Sequence, residues 1–153
     1  MVQTSVMVGN VEIRSISDGT GEFNASDLFP GVTDDAWAHV PGNLTRTSNL
    51  KTNFGCFVVI SQEQVILIDT GAGPAMNGEL PGELRKIGVD HDDITIVAFT
   101  HLHPDHVGWS ITGNENNAQL NFSNATYRVS MGDWDHFTSP GQIENAEHVT
   151  SQV

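Results

Sequence analysis

The chain has one cysteine, Cys56, so no disulfide can form within it. That cysteine lies in the apolar run 54–60, the usual setting of an inert, buried thiol. Basic residues are also scarce. Six Lys and Arg stand against 19 Asp and Glu, for a formal net charge of −13. Such a surface repels polyanions, so nucleic acid is not expected as a partner. No apolar stretch approaches the roughly 20 residues that cross a bilayer, so no membrane partner is expected either. The first residues, Met-Val-Gln-Thr-Ser-Val-Met, lack the basic region and apolar core of a secretory signal, and a cytoplasmic location is the expectation. There is no internal repeat, interdomain linker or low-complexity tract. At 153 residues, 38% of them apolar, the chain is long enough for one domain with a sizeable core, expected over 1–153.

Residues 11–17 alternate Val, Ile, Ile with Glu, Arg, Ser, which predicts a half-buried strand. Residues 18–52 are rich in Gly, Asn, Asp and Pro and read as a long loop, with Thr33-Asp34-Asp35 placed to cap one short helical turn at 36–38. Phe23, Leu28, Phe29 and Trp37 are its apolar contacts. They either pin the loop to the core or shape a pocket or interface. Two apolar strands, 54–60 and 65–69, flank Ser61-Gln62-Glu63-Gln64 and predict a hairpin. Residues 78–87 predict an amphipathic helix with Leu80, Leu84 and Ile87 on one face, Pro81 in its first turn and Gly88 at its end. Residues 94–99 form a near-continuous apolar run, the pattern of a strand buried on both faces. Further on, 112–117 read as a polar loop, 125–130 as a strand and 132–137 as a short helix carrying Trp134 and Phe137.

Directly after the 94–99 run comes Thr100-His101-Leu102-His103-Pro104-Asp105-His106-Val107-Gly108-Trp109. Of only seven histidines, three fall here beside an aspartate. Imidazole and carboxylate are the ligands of zinc and similar divalent ions. In extended backbone His101 and His103 share a face and can point at one ion. Pro104 holds its own φ and keeps His103 extended. The turn that follows carries Asp105 and His106 round to a second point, and Gly108 is expected to take a backbone conformation other residues resist. Two ions about 3.5–4 Å apart acidify water, so that hydroxide is available near neutral pH to attack carbon or phosphorus.

The stretch His101-x-His103-x-Asp105-His106 resembles the His-x-His-x-Asp-His signature of the metallo-β-lactamase superfamily. The likeness extends outward. Ile-Leu-Ile-Asp-Thr-Gly at 66–71 is similar to the family's strand ending in Asp-Thr-Gly, and 78–88 to its first helix. Ala-Thr-Tyr-Arg-Val-Ser-Met-Gly-Asp-Trp-Asp-His-Phe at 125–137, with His-Val-Gly-Trp at 106–109, resembles the lactonase-like branch. The resemblance implies an α/β (α+β) fold, the first half of an αββα sandwich, with a mixed sheet and flanking helices. It also implies two divalent ions, zinc by family habit. His101 and His103 would bind the first and Asp105 and His106 the second. Asp105 would in addition orient water or protonate a leaving group, and Asp69 would hydrogen-bond behind the ligands. A turn-capping role for Asp69 at 70–73 fits its position equally well. The implied reaction is hydroxide attack on a lactone or carboxylic ester, with a phosphotriester or thioester as the alternative small-molecule substrate.

Two ions need about five or six protein ligands, and the motif supplies four residues. Family members add a third histidine, a bridging aspartate and a last histidine from a second half, and no Gly-His-Thr segment occurs here. The expectation is therefore an N-terminal half, whose bare sheet face would make it poorly soluble or drive a homodimer, or else a non-catalytic metal-binding fragment. His148 has no matching motif and is not read as a ligand. His136 reads as a half-buried helix histidine, Asp133 and Asp135 as serving that helix's N-terminal end, and His39 and His91 as exposed. Trp109 either borders the site or packs beneath its loop. Gly108-Trp109-Ser110-Ile111-Thr112-Gly113 is one residue too long for a nucleophile elbow. Gly71-Ala72-Gly73 lacks the third glycine of a dinucleotide loop, since Met76 stands there.

Overall fold

The computed structural model describes residues 4–113 and 116–142. It divides into two compact units, Met1–Gly19 together with Phe54–Val153, and Thr20–Asn53. Among the described residues no helix is long and apolar enough to cross a membrane.

The strands are β1 (Ser5–Val8), β2 (Val11–Asn24), β3 (Asn49–Ile60), β4 (Val65–Ile68), β5 (Ile96–Ala98), β6 (Ile111–Thr112), β7 (Gln119–Leu120) and β8 (Thr126–Arg128). The helices are α1 (Ala25–Leu28), α2 (Asp34–Ala38), α3 (Leu80–Lys86), α4 (Pro104–Val107) and α5 (Met131–Thr138). Six strands form one sheet in the order β1-β2-β3-β4-β5-β8, and β6 with β7 forms a small ribbon. The β3–β4 pair is antiparallel, whereas β4–β5 and β5–β8 are parallel. This is the mixed sheet with helices that the family resemblance implies.

The sequence reading starts the first strand at Val11 and misses β1, whose unbroken Val6-Met7-Val8 does not alternate. Gly9, at φ 61°, supplies the positive φ of a two-residue turn that pairs Val8 with Val11. The second correction concerns 18–52. It is not a bare loop, because β2 runs on to Asn24 and β3 begins at Asn49. In the unit Thr20–Asn53 the Asn24 side chain caps α1 by accepting from Ser26 N–H at 3.0 Å. Within the expected capping stretch 33–35, Thr33 caps α2 by accepting from Ala36 N–H at 3.3 Å, so the helix starts at Asp34, two residues earlier than the sequence suggests. Trp37 is buried with the Phe29 ring 5.9 Å away, while Phe29 and Leu28 are exposed. Of the four expected apolar contacts, Trp37 alone is fully buried.

Register assigns the sheet's faces in the larger unit. Val58, Leu67 and Val97 stand side by side across β3, β4 and β5 and are fully buried. They join Leu80 and Leu84 of α3, Phe99, Leu102 and Phe122 in one core. Phe57, Val59, Ile66, Ile68 and Ala98 share the opposite face. These are half-buried except Phe57, which is 48% exposed. α3 starts two residues later than the spacing predicts, with Pro81 in its first turn. It ends at Gly88, φ 76°, whose N–H reaches Arg85 O while Val89 N–H reaches Leu84 O.

Asp18 is read from sequence as the head of a loop. Here it is a fully buried carboxylate. One oxygen, Oδ2, accepts the N–H groups of Ala72 (2.8 Å) and Gly73 (3.0 Å). The other, Oδ1, accepts those of Leu80 (2.7 Å) and the Trp109 indole (2.8 Å). Gly108 also departs from expectation. Its φ of −62° and ψ of −24° suit any residue, and what it supplies is space, since a Cβ there would stand 2.2 Å from the Ala72 carbonyl carbon.

The polar 112–117 stretch is flanked by the β6–β7 ribbon, with residues 114–115 outside the description. His148, with Ile143 and Val149, also lies outside the described residues. A paired substitution tests the glycine argument. Gly108→Ala should lower stability by about 1–3 kcal/mol through overpacking against backbone. Gly82→Ala, in α3 with open space at its Cβ, should gain about 0.5–1 kcal/mol. Urea unfolding midpoints of the two variants against the parent chain check both signs.

Candidate metal centre

The centre lies where the parallel strands β4 and β5 end. Asp69 follows β4 at φ 60°, a left-handed conformation that aspartate tolerates better than most residues. Its N–H donates to Ala98 O of β5 at 3.0 Å. Its carboxylate therefore meets the chain leaving β5. Oδ1 accepts Thr100 N–H at 2.7 Å, and Oδ2 accepts Thr100 Oγ1–H at 2.7 Å. Oδ2 also lies 2.8 Å from Nδ1 of His106.

His103 is extended (φ −77°, ψ 158°) and Pro104 opens the one-turn helix α4. That turn carries His106 back over His101. The ring centroids are 3.9 Å apart for His101–His106 and 4.7 Å for His101–His103. Backbone bonds tie the turn after β4 to α4: Thr70 N–H donates to His106 O (2.7 Å) and Gly108 N–H to Gly71 O (2.8 Å). Asp105 is exposed, with Oδ2 3.5 Å from Nε2 of His106. On the outer side the Phe137 ring of α5 stands edge-on to His103 at 5.9 Å. The structure thus gathers His101, His103, Asp105, His106 and Asp69 at one place.

Three imidazoles and a carboxylate are the donor chemistry of a zinc-like ion. Among the described residues, no set of three His, Cys, Asp or Glu side chains is already closed into ligating geometry. The arrangement nonetheless fits a cation. Asp69 favours the His106 tautomer with its proton on Nδ1, leaving the Nε2 lone pair facing the Asp105 carboxylate. Two electron-rich groups at that separation repel unless a proton or a metal ion joins them.

The electrostatics differ between the rings. The Asp69 hydrogen bond raises the His106 pKa above the ordinary imidazole value. Burial opposes this, and the charges of Asp69 and Asp105 add to it. His101 is lowered, first by desolvation and then by repulsion from His106 and His103. Burial pushes the Asp69 carboxyl up, but the bonds from His106 and Thr100 outweigh it and the net shift is downward. Burial also pushes the Cys56 thiol far up, as an inert thiol requires.

Among the described residues, the other three histidines stay outside the cluster. His39 Nδ1 lies 2.7 Å from Asp35 O at the end of α2, and His91 pairs with Asp92 at 3.4 Å; both are exposed, as expected. His136 is exposed rather than half-buried, with its ring 5.0 Å from that of Phe137 on the same helix. Asp133 does serve the start of α5, its N–H donating to Ser130 Oγ at 3.1 Å. Asp135 is exposed and is not the residue engaged by the cap. Sequence reasoning passed over Thr100, which presents two donors to Asp69. A hydroxyl residue at the junction of buried strand and ligand motif was the available signal.

Residues 56–112 match the model of the Metallo-beta-lactamase superfamily. No curated protein matches the chain. Among solved structures it is similar to AidC, a dizinc quorum-quenching lactonase in complex with a product. The TM-score is 0.76 at 23% identity, covering 90% of this chain and 48% of AidC. It is also similar to the hydrolase AbOPH in the beta lactamase superfamily, with TM-score 0.73 at 25% identity, covering 97% and 52%. A third is a probable metal-dependent hydrolase from Staphylococcus aureus, with TM-score 0.67 at 19% identity, covering 97% and 55%. The chain spans about half the length of these relatives. The likeness shows the fold.

In chelator-treated protein, NMR titration should place His106 above and His101 below the ordinary imidazole pKa. Asp69→Asn should bring His106 down, since the favoured imidazolium loses its anionic partner. An unmoved His106 would refute the assigned hydrogen bond.

Proposed function

We propose that this chain, which carries the metallo-β-lactamase fold, is the ligand-bearing part of a metal-dependent hydrolase that opens a lactone or carboxylic ester. One observation carries the reading: three imidazoles and a carboxylate converge where two parallel strands end, with Asp69 behind His106. The likeness to AidC, described as a lactonase, supports the substrate class.

His101 and His103 would hold one divalent ion and Asp105 and His106 another, with zinc favoured by the imidazole-rich donor set. Bound there, such ions would supply Lewis acidity, lowering the pKa of water toward about 7 and polarising an acyl oxygen. The chain's own groups do the positioning. Asp69 and Thr100 hold His106 in one tautomer. Asp105, exposed at the rim, would orient the attacking water, take its proton and pass that proton to the departing alkoxide. Two ions would need ligands beyond these four residues.

Elemental analysis should approach about two metal ions per chain for a complete binuclear site and clearly fewer for a half site. On protein that hydrolyses a lactone, His103→Ala should cost more than the roughly 10–100-fold that loss of an outer partner costs. Chelation should abolish turnover and added zinc restore it. Hydrolysis that persists unchanged in His103→Ala would refute the assignment.

The apolar face of Phe57, Val59, Ile66 and Ile68 supports self-association as a homodimer of this chain. Light scattering should show a concentration-dependent dimer that Phe57→Glu disperses. A monomer at every concentration would refute it.

A further inference from the structure

The fully buried carboxylate of Asp18 has no part in the chemistry above, yet it touches both chain segments that build the centre. A carboxylate taken out of water destabilises the fold unless its lone pairs are satisfied. Three backbone N–H groups, from Ala72, Gly73 and Leu80, and one side-chain donor, the Trp109 indole, satisfy this one. The backbone donors hold the turn after β4 and the start of α3. The indole belongs to the residue three places after His106.

Glycines make the approach possible. A Cβ at Gly71 would lie 2.4 Å from the Asp18 Cβ, and one at Gly78 would lie 2.3 Å from its Oδ2. A Cβ at Gly73 would lie 2.3 Å from Gly108 O, so the two segments meet backbone to backbone beside the carboxylate. His106 is consequently held from two sides. Asp69, leading into the turn, takes its Nδ1, and Asp18, beneath the turn, takes Trp109.

We infer that Asp18 is a positioning residue for the metal centre: through the Trp109 indole it fixes the segment carrying Asp105 and His106, so that the imidazoles stand together before an ion arrives. This rests on the metal-hydrolase reading. The indole bond is the separable part, because the three backbone bonds alone account for Asp18's place in the fold.

Cobalt(II) added to the metal-free chain tests it. The parent should show ligand-field bands in the visible. Trp109→Phe keeps a benzene ring but loses the pyrrole ring with its N–H, and should weaken cobalt uptake by roughly 10-fold or more and shift the bands. Val58→Ala, a cavity in the core strand β3, should lower the urea midpoint and leave the bands of the folded protein unchanged. Parent-like uptake and bands in Trp109→Phe would overturn the inference and leave the metal reading standing. An equal loss in Val58→Ala would overturn it too, by reducing the effect to stability. Absence of bands in the parent would overturn the metal reading, and this inference with it. Should Trp109→Phe not fold, the parent decides: its indole N–H resonance should move on zinc addition, and one unmoved at saturation overturns the inference.

Discussion

Asp69 and His106 come from chain segments 37 residues apart, and the 2.8 Å contact between them needs β4 and β5 to lie side by side and end together. A charge-assisted hydrogen bond of this kind is worth about 1.5–3 kcal/mol. That is too little to impose a fold, so the parallel pairing of Ile66, Leu67 and Ile68 with Ile96, Val97 and Ala98 must come first. Once it exists, the carboxylate selects which imidazole nitrogen carries the proton and leaves the other lone pair facing Asp105.

The polar groups beneath the centre follow the same economy. Asp18, Asp69, Thr70 and Ser110 are the buried polar side chains of the described residues, and each has a partner. They lie where β4 and β5 give way to irregular chain, a region whose backbone donors would otherwise be unpaired. Close approach replaces side-chain packing there. Gly73 and Gly108 bring two backbones together where a methyl group would collide. The apolar core lies on the other side of this floor, under Leu67, Val97 and the inner face of α3.

Much of this was legible in the residues. The hairpin around 61–64, α3 with Pro81 and Gly88 at its ends, β5 as a buried run and a cap from the stretch 33–35 all follow from local rules. The four ligand-type residues were legible for the same reason, since their spacing is local. The misses share a different cause. β1 is exposed and unalternating, and β2 continues through polar residues because its neighbours, not its own pattern, hold it extended. Gly108 reads as a conformational glycine until Ala72 is seen against it.

By itself the sequence determined the cluster of ligand-type side chains, the excess of acidic residues and the segments of the main strands and of α3 and α5, because these depend on residue type and on spacings of a few positions. Only the tertiary structure showed Asp69 bonded to Thr100 and His106, revealed Asp18 beneath the turn and showed Trp109 bonded to it. Those outcomes depend on which groups 30 to 90 residues apart are brought within hydrogen-bond reach, and no local pattern encodes that distance.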